Sequence, residues 1–313
     1  MAKDRNDLLD RLVYLALRVV SMAVHSWGVG VSLELAKAVG SGLFYIDKKH
    51  RQRAMGNLRR SFPEMSERQI RRLAHESMQH MCMLGIEVLF TTRLIRIDNW
   101  ASHVALGNFS PVLKLLLRKA GPGTGMIMLT GHYGNWEVLG YVLATLGFPT
   151  TSIARPLDNP YVSEFVFGVR ERTGQKIIAK KGATAEVTEV LERGGVVGFI
   201  ADQNAGSKGL FVDFFGRKAS TYKSIGLLAM NYQVPVVIGY ARRDRKRPFY
   251  FECAMQDIIW PGDWASEPDP LRYITQRYTK AIEDMVRADP AQYLWVHRRW
   301  KTRPKGEAPE AYD

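Results

Sequence analysis

GMIMLTGHYGNWEVLG, residues 125–140, holds the change of pattern that decides the fold. MIMLT is a short apolar run, and a strand ends at Thr130. Gly131 permits a sharp turn, and a helix begins near Asn135. Outward from this unit, apolar runs recur at TTSIAR (150–155), QKIIA (175–179), GVVGFI (195–200), VPVVIGY (234–240) and FYFECAM (249–255). Helical segments at 135–147, 160–173, 183–193 and 220–232 separate most of them, and a helix over 270–288 stops at Asp289-Pro290. Strand and helix in alternation predict an α/β fold with a mixed, largely parallel sheet flanked by helices. The last two strands follow closely enough to pair antiparallel. GPGTG at 121–125 precedes its strand and reads as a turn, not a phosphate loop.

The N-terminal part is helical and less polar. Helices are predicted over 50–61 and 66–90, broken at Pro63, with Ser66 and Gln69 spaced as a capping box. Before them, residues 12–33 read LVYLALRVVSMAVHSWGVGVSL, with Arg18 the only formal charge. The uncharged run is short for a full span. A spanning anchor, an interfacial helix and a buried helix all stay open, and the flanking aromatics and cations favour the membrane. Lys48, Lys49, Arg51 and Arg53 follow, and by the positive-inside rule they keep the rest of the chain in the cytoplasm. The expected organisation is a membrane-associating helical segment over 1–46, a catalytic domain over 47–306 and a polar tail over 307–313.

Over 313 residues, 44 Lys and Arg against 31 Asp and Glu leave a net charge of +13. That excess predicts anionic partners: nucleic acid, phosphate-bearing lipid or an acidic protein. An apolar fraction of 46% excludes intrinsic disorder. Cys82 and Cys253, the only cysteines, are too few for a disulfide scaffold or a cysteine-based zinc site. A non-catalytic basic protein that binds membrane or nucleic acid would explain the charge. It would give no reason for HYGNWE at a strand end, and no helix-turn-helix, zinc-finger or RRM signature accompanies it.

In sheets of this type, ligands bind at the carboxyl ends of the strands. His132 leaves its strand there, and Glu137 follows five residues later. In regular helix that spacing would set the side chains about 140° apart, so they approach only if His132 lies in the turn before the helix. A carboxylate on one imidazole nitrogen fixes the tautomer and makes the other nitrogen a base. No serine or cysteine nucleophile motif is nearby, so the hydroxyl to be deprotonated belongs to a substrate. A helix-capping role for the pair stays open beside this. H-x4-E has no third ligand nearby, and no metal or other cofactor is expected. Asp202 and Gln203 follow the run 196–200 and share the strand-end location.

Several separate blocks carry a resemblance. GHYGNWE is similar to the H-x4-E/D block of the lysophospholipid-type acyltransferases. RRSFPEMSERQ (59–69), ARPLDNP (154–160), FGVRERTGQKII (167–178), FIADQNAG (199–206), VDFFGRKAST (212–221) and YLWVHRRWKTRP (293–304) follow in order. Together they resemble the lauroyl/myristoyl acyltransferases of lipid A biosynthesis over roughly residues 45–305. The resemblance implies a glycerol-3-phosphate acyltransferase-like fold. It implies transfer of a fatty acyl chain from an acyl-carrier-protein thioester, or acyl-CoA, to a hydroxyl of a lipid A precursor. A phosphatidylinositol mannoside or an ornithine lipid is the alternative acceptor.

Carried over residue by residue, the resemblance makes His132 the general base and Glu137 its orienting partner. Arg155, Arg170, Asp202 and Gln203 become substrate-binding residues. Backbone N–H groups of the 131–135 turn and Arg170 are the candidate oxyanion donors. The resemblance also implies an inner-membrane protein, its catalytic domain on the cytoplasmic side, and no nucleic-acid partner. The basic stretches KKHRQR (48–53), RRDRKR (242–247) and HRRWKTRPK (297–305) then suit phosphates, head groups or the acidic carrier, with solvated surface favoured slightly for RRDRKR. Trp300 within the last suits an interfacial anchor.

Overall fold

In a computed structural model the chain is described over residues 6–307, apart from 119–120, 122, 149, 155–156, 172–173 and 180–181. Four helices come first: α1 (Asp7–Ser26), α2 (Val29–Ile46), α3 (Lys48–Ser61) and α4 (Glu67–Leu94). The α/β part follows as β1 (Val104–Gly107), α5 (Ser110–Leu116), β2 (Met126–Thr130), α6 (Trp136–Thr145), β3 (Thr151–Ala154), α7 (Pro160–Glu171), β4 (Lys176–Ala179), α8 (Ala183–Glu192) and β5 (Val196–Ile200). A hairpin of β6 (Leu210–Phe214) and β7 (Arg217–Thr221) leads to α9 (Lys223–Tyr232), β8 (Val236–Arg243), β9 (Phe251–Ile259), α10 (Pro261–Trp264) and α11 (Pro270–Ala288).

Among the described residues, seven strands form one sheet in the order β1-β9-β8-β2-β5-β3-β4. Only β8 and β9 pair antiparallel within it, as their short connection requires. The fold is therefore the mixed, largely parallel α/β arrangement the alternation predicts. β2 shows how the layers are built. Its five residues are all buried. Met126 and Met128 enter one core with Val138, Leu139 and Val142 of α6, while Ile127 and Leu129 enter the other with α9 and α11. A strand buried on both faces has no polar alternation, hence the continuous run MIMLT.

One irregularity prepares the site. β5 pairs with β2 as far as Thr130↔Ile200, and β3 pairs with β4 as far as Ala154↔Ala179. Between β3 and β5 only Thr151↔Val197 and Ser152↔Gly198 pair. The sheet thus forks at the carboxyl end of its strands.

The sequence reading of 12–33 as one apolar stretch is corrected. The chain breaks at Trp27-Gly28, where Gly28 adopts φ +76°, and two helices result. α1 lies on α7: Tyr14 packs on Tyr161 and Phe165, and the Asn159 amide donates to the Asp10 carbonyl at 2.8 Å. α2 buries Leu33, Ala36 and Phe44, and Gly40 sits so close to α4 that a Cβ there would lie 2.5 Å from the Gln79 Cα. Both helices leave apolar side chains outward, Leu8, Leu12, Leu15, Val19 and Met22 on α1 and Val31, Leu35, Val39 and Ile46 on α2. By length and composition α2 is apolar enough to cross a membrane. The capping box at Ser66 and Gln69 forms as predicted. Composition did not announce β1, α5 or the β6–β7 hairpin, whose two-residue turn places Phe215 and Gly216 at positive φ.

Candidate active site

Parallel register builds the site. Thr130 and Ile200 are paired at the ends of neighbouring strands, so the residues two positions beyond each, His132 and Asp202, come level. His132 Nδ1 lies 2.7 Å from Asp202 Oδ1, and the His132 backbone N–H donates to Asp202 Oδ2 at 2.9 Å. Burial alone would raise the Asp202 pKa. The His132 ring, the two hydrogen bonds and the nearby His297 overcome this and hold the carboxyl well below the usual carboxylate range. An ionised Asp202 takes the Nδ1 proton in its hydrogen bond and leaves the lone pair on Nε2. The Gln203 amide nitrogen lies 3.3 Å from that Nε2.

The structure thus puts Asp202, not Glu137, on Nδ1. Glu137 sits in the first turn of α6, where its carboxylate accepts from the Trp136 indole at 3.0 Å, and both residues line the same cavity as His132. The Trp136 ring meets the His132 ring edge-on, with centroids 4.8 Å apart. Arg170 falls on α7, and its side chain lies outside what is described; Arg155 lies outside the described residues.

Three backbone N–H groups of the turn are already used. His132 donates to Asp202, Gly134 to the Gln292 carbonyl at 2.9 Å and Asn135 to the Ala241 carbonyl at 2.7 Å. This corrects their candidacy as oxyanion donors. Gly134 stands at φ +58°, and a Cβ there would lie 2.1 Å from the Ala241 carbonyl oxygen, so only glycine fits. The Leu294 N–H closes the clamp by donating to the His132 carbonyl at 3.1 Å.

On the turn's other side lies a buried charge cluster that the sequence did not reveal. The Asn135 Oδ1 caps α6 by accepting from Val138, and its Nδ2 donates to Glu87 Oε2 at 2.8 Å. Glu87, fully buried on α4, also receives both arms of the Arg243 guanidinium, one of them at 2.8 Å to Oε2. Arg243 Nη1 lies 2.7 Å from His80 Nδ1, and burial followed by the Arg243 charge keeps His80 neutral, well below its ordinary pKa. The Gln292 amide bonds both backbone groups of Arg243 at 2.9 Å. A His and a Glu seven residues apart, two turns along α4, were the available signal.

The basic C-terminal block is brought to the site with Arg299 and Trp300 buried, while Lys301 and Lys305 stay exposed. His297 packs on His132 with ring centroids 4.5 Å apart. Burial first and the His132 charge second push its pKa down to about 4. Arg299 is 2% exposed and donates to the Ser220 carbonyl at 2.6 Å, the Thr221 hydroxyl at 2.6 Å and the Gln203 carbonyl at 3.3 Å, which fixes the loop carrying Gln203. Trp300 is 2% exposed, stacked 5.6 Å from Phe214 and covered by Arg217. The expectation of an interfacial anchor at Trp300 is therefore overturned. In RRDRKR, Arg242, Arg243, Arg245 and Arg247 are paired with Glu252, Glu87, Asp289 and Asp244.

A cavity of about 640 Å³ opens beside His132. It fills the fork between β3 and β5 and runs beneath α6, lined by Met128, Leu139, Leu143, Val166 and Phe167, with His132, Glu137 and Gln203 at its polar end. A base over a long apolar cavity suits a hydroxyl and a hydrocarbon chain brought together.

The chain belongs to the bacterial lipid A biosynthesis acyltransferases, whose family model matches residues 4–302. It is an acyltransferase. Its relatives include a lipid A biosynthesis acyltransferase of Haemophilus influenzae, 25% identical over 90% of this chain and 84% of that protein. A lipid A biosynthesis lauroyltransferase of Escherichia coli is 26% identical over 80% of this chain and 78% of its own, and a myristoyltransferase of the same organism is 24% identical over 84% and 78%.

Proposed function

We propose that this acyltransferase moves a fatty acyl chain from the thioester of acyl carrier protein to a hydroxyl on a lipid A precursor, with His132 as general base. The observation that carries the mechanism is the His132–Asp202 pair, with Nδ1 bound to carboxylate at 2.7 Å. Nε2 takes the hydroxyl proton as the oxygen attacks the thioester carbonyl. The C–S bond then breaks, and the proton passes from Nε2 to the departing thiolate. Asp202 holds the tautomer and stabilises the imidazolium between the two transfers. Gln203 donates to the Nε2 lone pair until the substrate hydroxyl displaces it. Glu137, in the first turn of α6, places its carboxyl group on the cavity side of the imidazolium. Arg170 and Arg155 remain candidates for contact with the thioester oxygen or the acceptor.

The outward apolar faces of α1 and α2 support attachment of residues 1–46 to a membrane, with the catalytic domain of 47–306 on its cytoplasmic side and 307–313 as a tail. Lys48 and Lys49, directly after α2, suit an anionic inner-membrane leaflet. Exposed apolar side chains at spacings of three and four on each helix fit a surface turned to lipid.

The test is transfer by the full chain from acyl carrier protein or acyl-CoA to a glucosamine-disaccharide lipid A precursor, read by mass spectrometry. A product heavier by one acyl chain supports the proposal. Acylation of an ornithine lipid or phosphatidylinositol mannoside instead, with the lipid A precursor untouched, overturns the acceptor. A faster rate from acyl-CoA overturns the donor.

A further inference from the structure

The far end of the cavity is polar, although its walls are not. Thr150 and Gln175 are 4% and 8% exposed, and the Gln175 amide donates to the hydroxyls of Thr150 and Ser152 at 3.3 Å each. All three line the cavity. Their place follows from register: Ser152 is level with Gly198 and Thr151 with Val197, so Thr150 lies level with Val196 at the start of β5. His132 and Asp202 stand beyond the other end of that strand. The floor and the base therefore occupy opposite ends of one apolar channel.

Above the floor, α6 passes very close. Gly140 lines the cavity, and a Cβ there would lie 2.4 Å from the Gln175 Nε2. A side chain at 140 would add bulk to the cavity wall at the floor and displace the Gln175 amide, the movable partner of the clash. On the opposite wall, a Cβ at Gly198 would lie 3.0 Å from the Ser152 hydroxyl. Two positions without side chains thus make the room that the hydrogen-bonded polar groups of the floor occupy.

We propose that Gln175, joined to Thr150 and Ser152, is the floor that measures the transferred acyl chain, and that Gly140 sets its height. The proposal rests on the acyl-transfer reading above and adds the residues that decide donor length. A methyl end stops against polar groups already bonded to one another, since pushing past them would strip those bonds without replacing them. Four strand residues separate the floor from the end of β5, about 13 Å, and the two residues on to Asp202 add roughly 6 Å more. An extended chain advances roughly 1.2 Å per bond, so the channel fits an acyl group of about eleven to sixteen bonds. The donor class is an acyl chain of about twelve to seventeen carbons, on the same rise of roughly 1.2 Å per bond.

The experiment is a competition. The full-length protein receives an equimolar series of acyl carrier protein thioesters, even-numbered from about eight to eighteen carbons on the same chain arithmetic, with a lipid A precursor. The product chain-length ratio is read by mass spectrometry, and that ratio is independent of how much enzyme is folded. Gly140→Val is expected to shift the optimum shorter by at least one donor in the series, with roughly a tenfold or greater loss of the wild-type optimum relative to the shorter chain. Gln175→Ala is expected to admit donors longer than the wild-type optimum. If Gly140→Val is too unstable to assay, Gly140→Ala and Ser152→Leu carry the same expectation of shortening. Active variants with an unchanged product ratio would overturn the proposal, as would a shift in selectivity for the acceptor's chains instead of the donor's. Wild-type protein that transfers no acyl chain from any donor would instead remove the reading beneath it.

Discussion

The turn 131–135 lies between two polar clusters that differ in one respect. On the cavity side, Asp202 holds Nδ1 of His132, and among the described residues the Nε2 lone pair meets the Gln203 amide alone, at 3.3 Å. On the sealed side, Glu87 is saturated by Arg243 and Asn135, and its carboxylate is fully buried. Both contain a carboxylate, a histidine and a further hydrogen-bonding side chain. The first keeps a weakly held basic site where a substrate can reach it. The second spends its charges on each other and on the cap of α6. Similar side-chain chemistry is thus left open to the cavity on one side and closed on itself on the other, where an arginine is added, and access to a lone pair separates the two arrangements.

Removing the base should have the largest effect. His132→Ala is expected to lower acyl transfer by about 10²–10⁴-fold, the usual share of a positioned general base. Some stability should be lost as well, because the buried Asp202 carboxylate keeps only the backbone N–H of residue 132 as its partner there, so the rate is compared per folded enzyme. Turnover within a few-fold of wild type, measured with acyl carrier protein thioester, would break the assignment of the cavity side to catalysis.

The sealed side should answer in the opposite currency. Glu87→Ala leaves Arg243 buried without its carboxylate and Asn135 without its acceptor, and a loss of about 3–5 kcal/mol in stability is expected. Urea titration of the full chain in detergent gives the value. A variant as stable as wild type that lost all activity would merge the two clusters into one functional unit.

Asp202→Asn sharpens the distinction between carboxylates. An amide cannot hold the Nδ1–H tautomer as an ionised carboxylate does, so a fall of about a hundredfold in kcat is expected. Glu137→Gln should cost less, because Glu137 is not on Nδ1. A larger loss for Glu137→Gln than for Asp202→Asn, by steady-state kinetics, would return the orienting role to Glu137.

The strands and helices of the α/β part were legible because periodicity and strand-end glycines are local properties. MIMLT at β2 and VVGFI at β5 fell within a residue of their observed ends. The neighbour relation of those strands was not legible. His132 and Asp202 are 70 residues apart and meet only because β5, not β3, lies beside β2. Glu137, five residues away, was the partner that local spacing could offer. Glu87 and Arg243 were hidden for the same reason, 156 residues apart on elements whose packing no single segment specifies. Trp300 misled differently. A tryptophan among cations has the composition of an interfacial anchor, yet here Arg299 turns inward to backbone oxygens and Trp300 stacks in the core.

Acidification gives a further contrast, through His297 packed on His132 on the cavity side and His80 on the sealed side. His297 is held at about 4, and His80 is also held well below its ordinary value. Both are neutral in the folded protein at pH values where the unfolded chain would protonate them. Their contribution to stability is therefore complete above about pH 6.5 and is lost as pH falls below it, at up to about 1.4 kcal/mol per pH unit for each group. For His297 the loss ends near pH 4, at up to roughly 3 kcal/mol. Asp202 behaves in the other window: its depressed value gives a contribution present above about pH 4, lost only at more acid pH. Denaturant titrations between about pH 7 and 4.5 should thus show stability falling from near 6.5, the unperturbed histidine value, before any carboxylate contribution is lost. His297→Asn should flatten that slope, and His80→Asn should flatten it further. Wild-type stability that is level across the range would mean that neither histidine is held neutral by its cluster, and the sealed side would then lose its claim to be sealed.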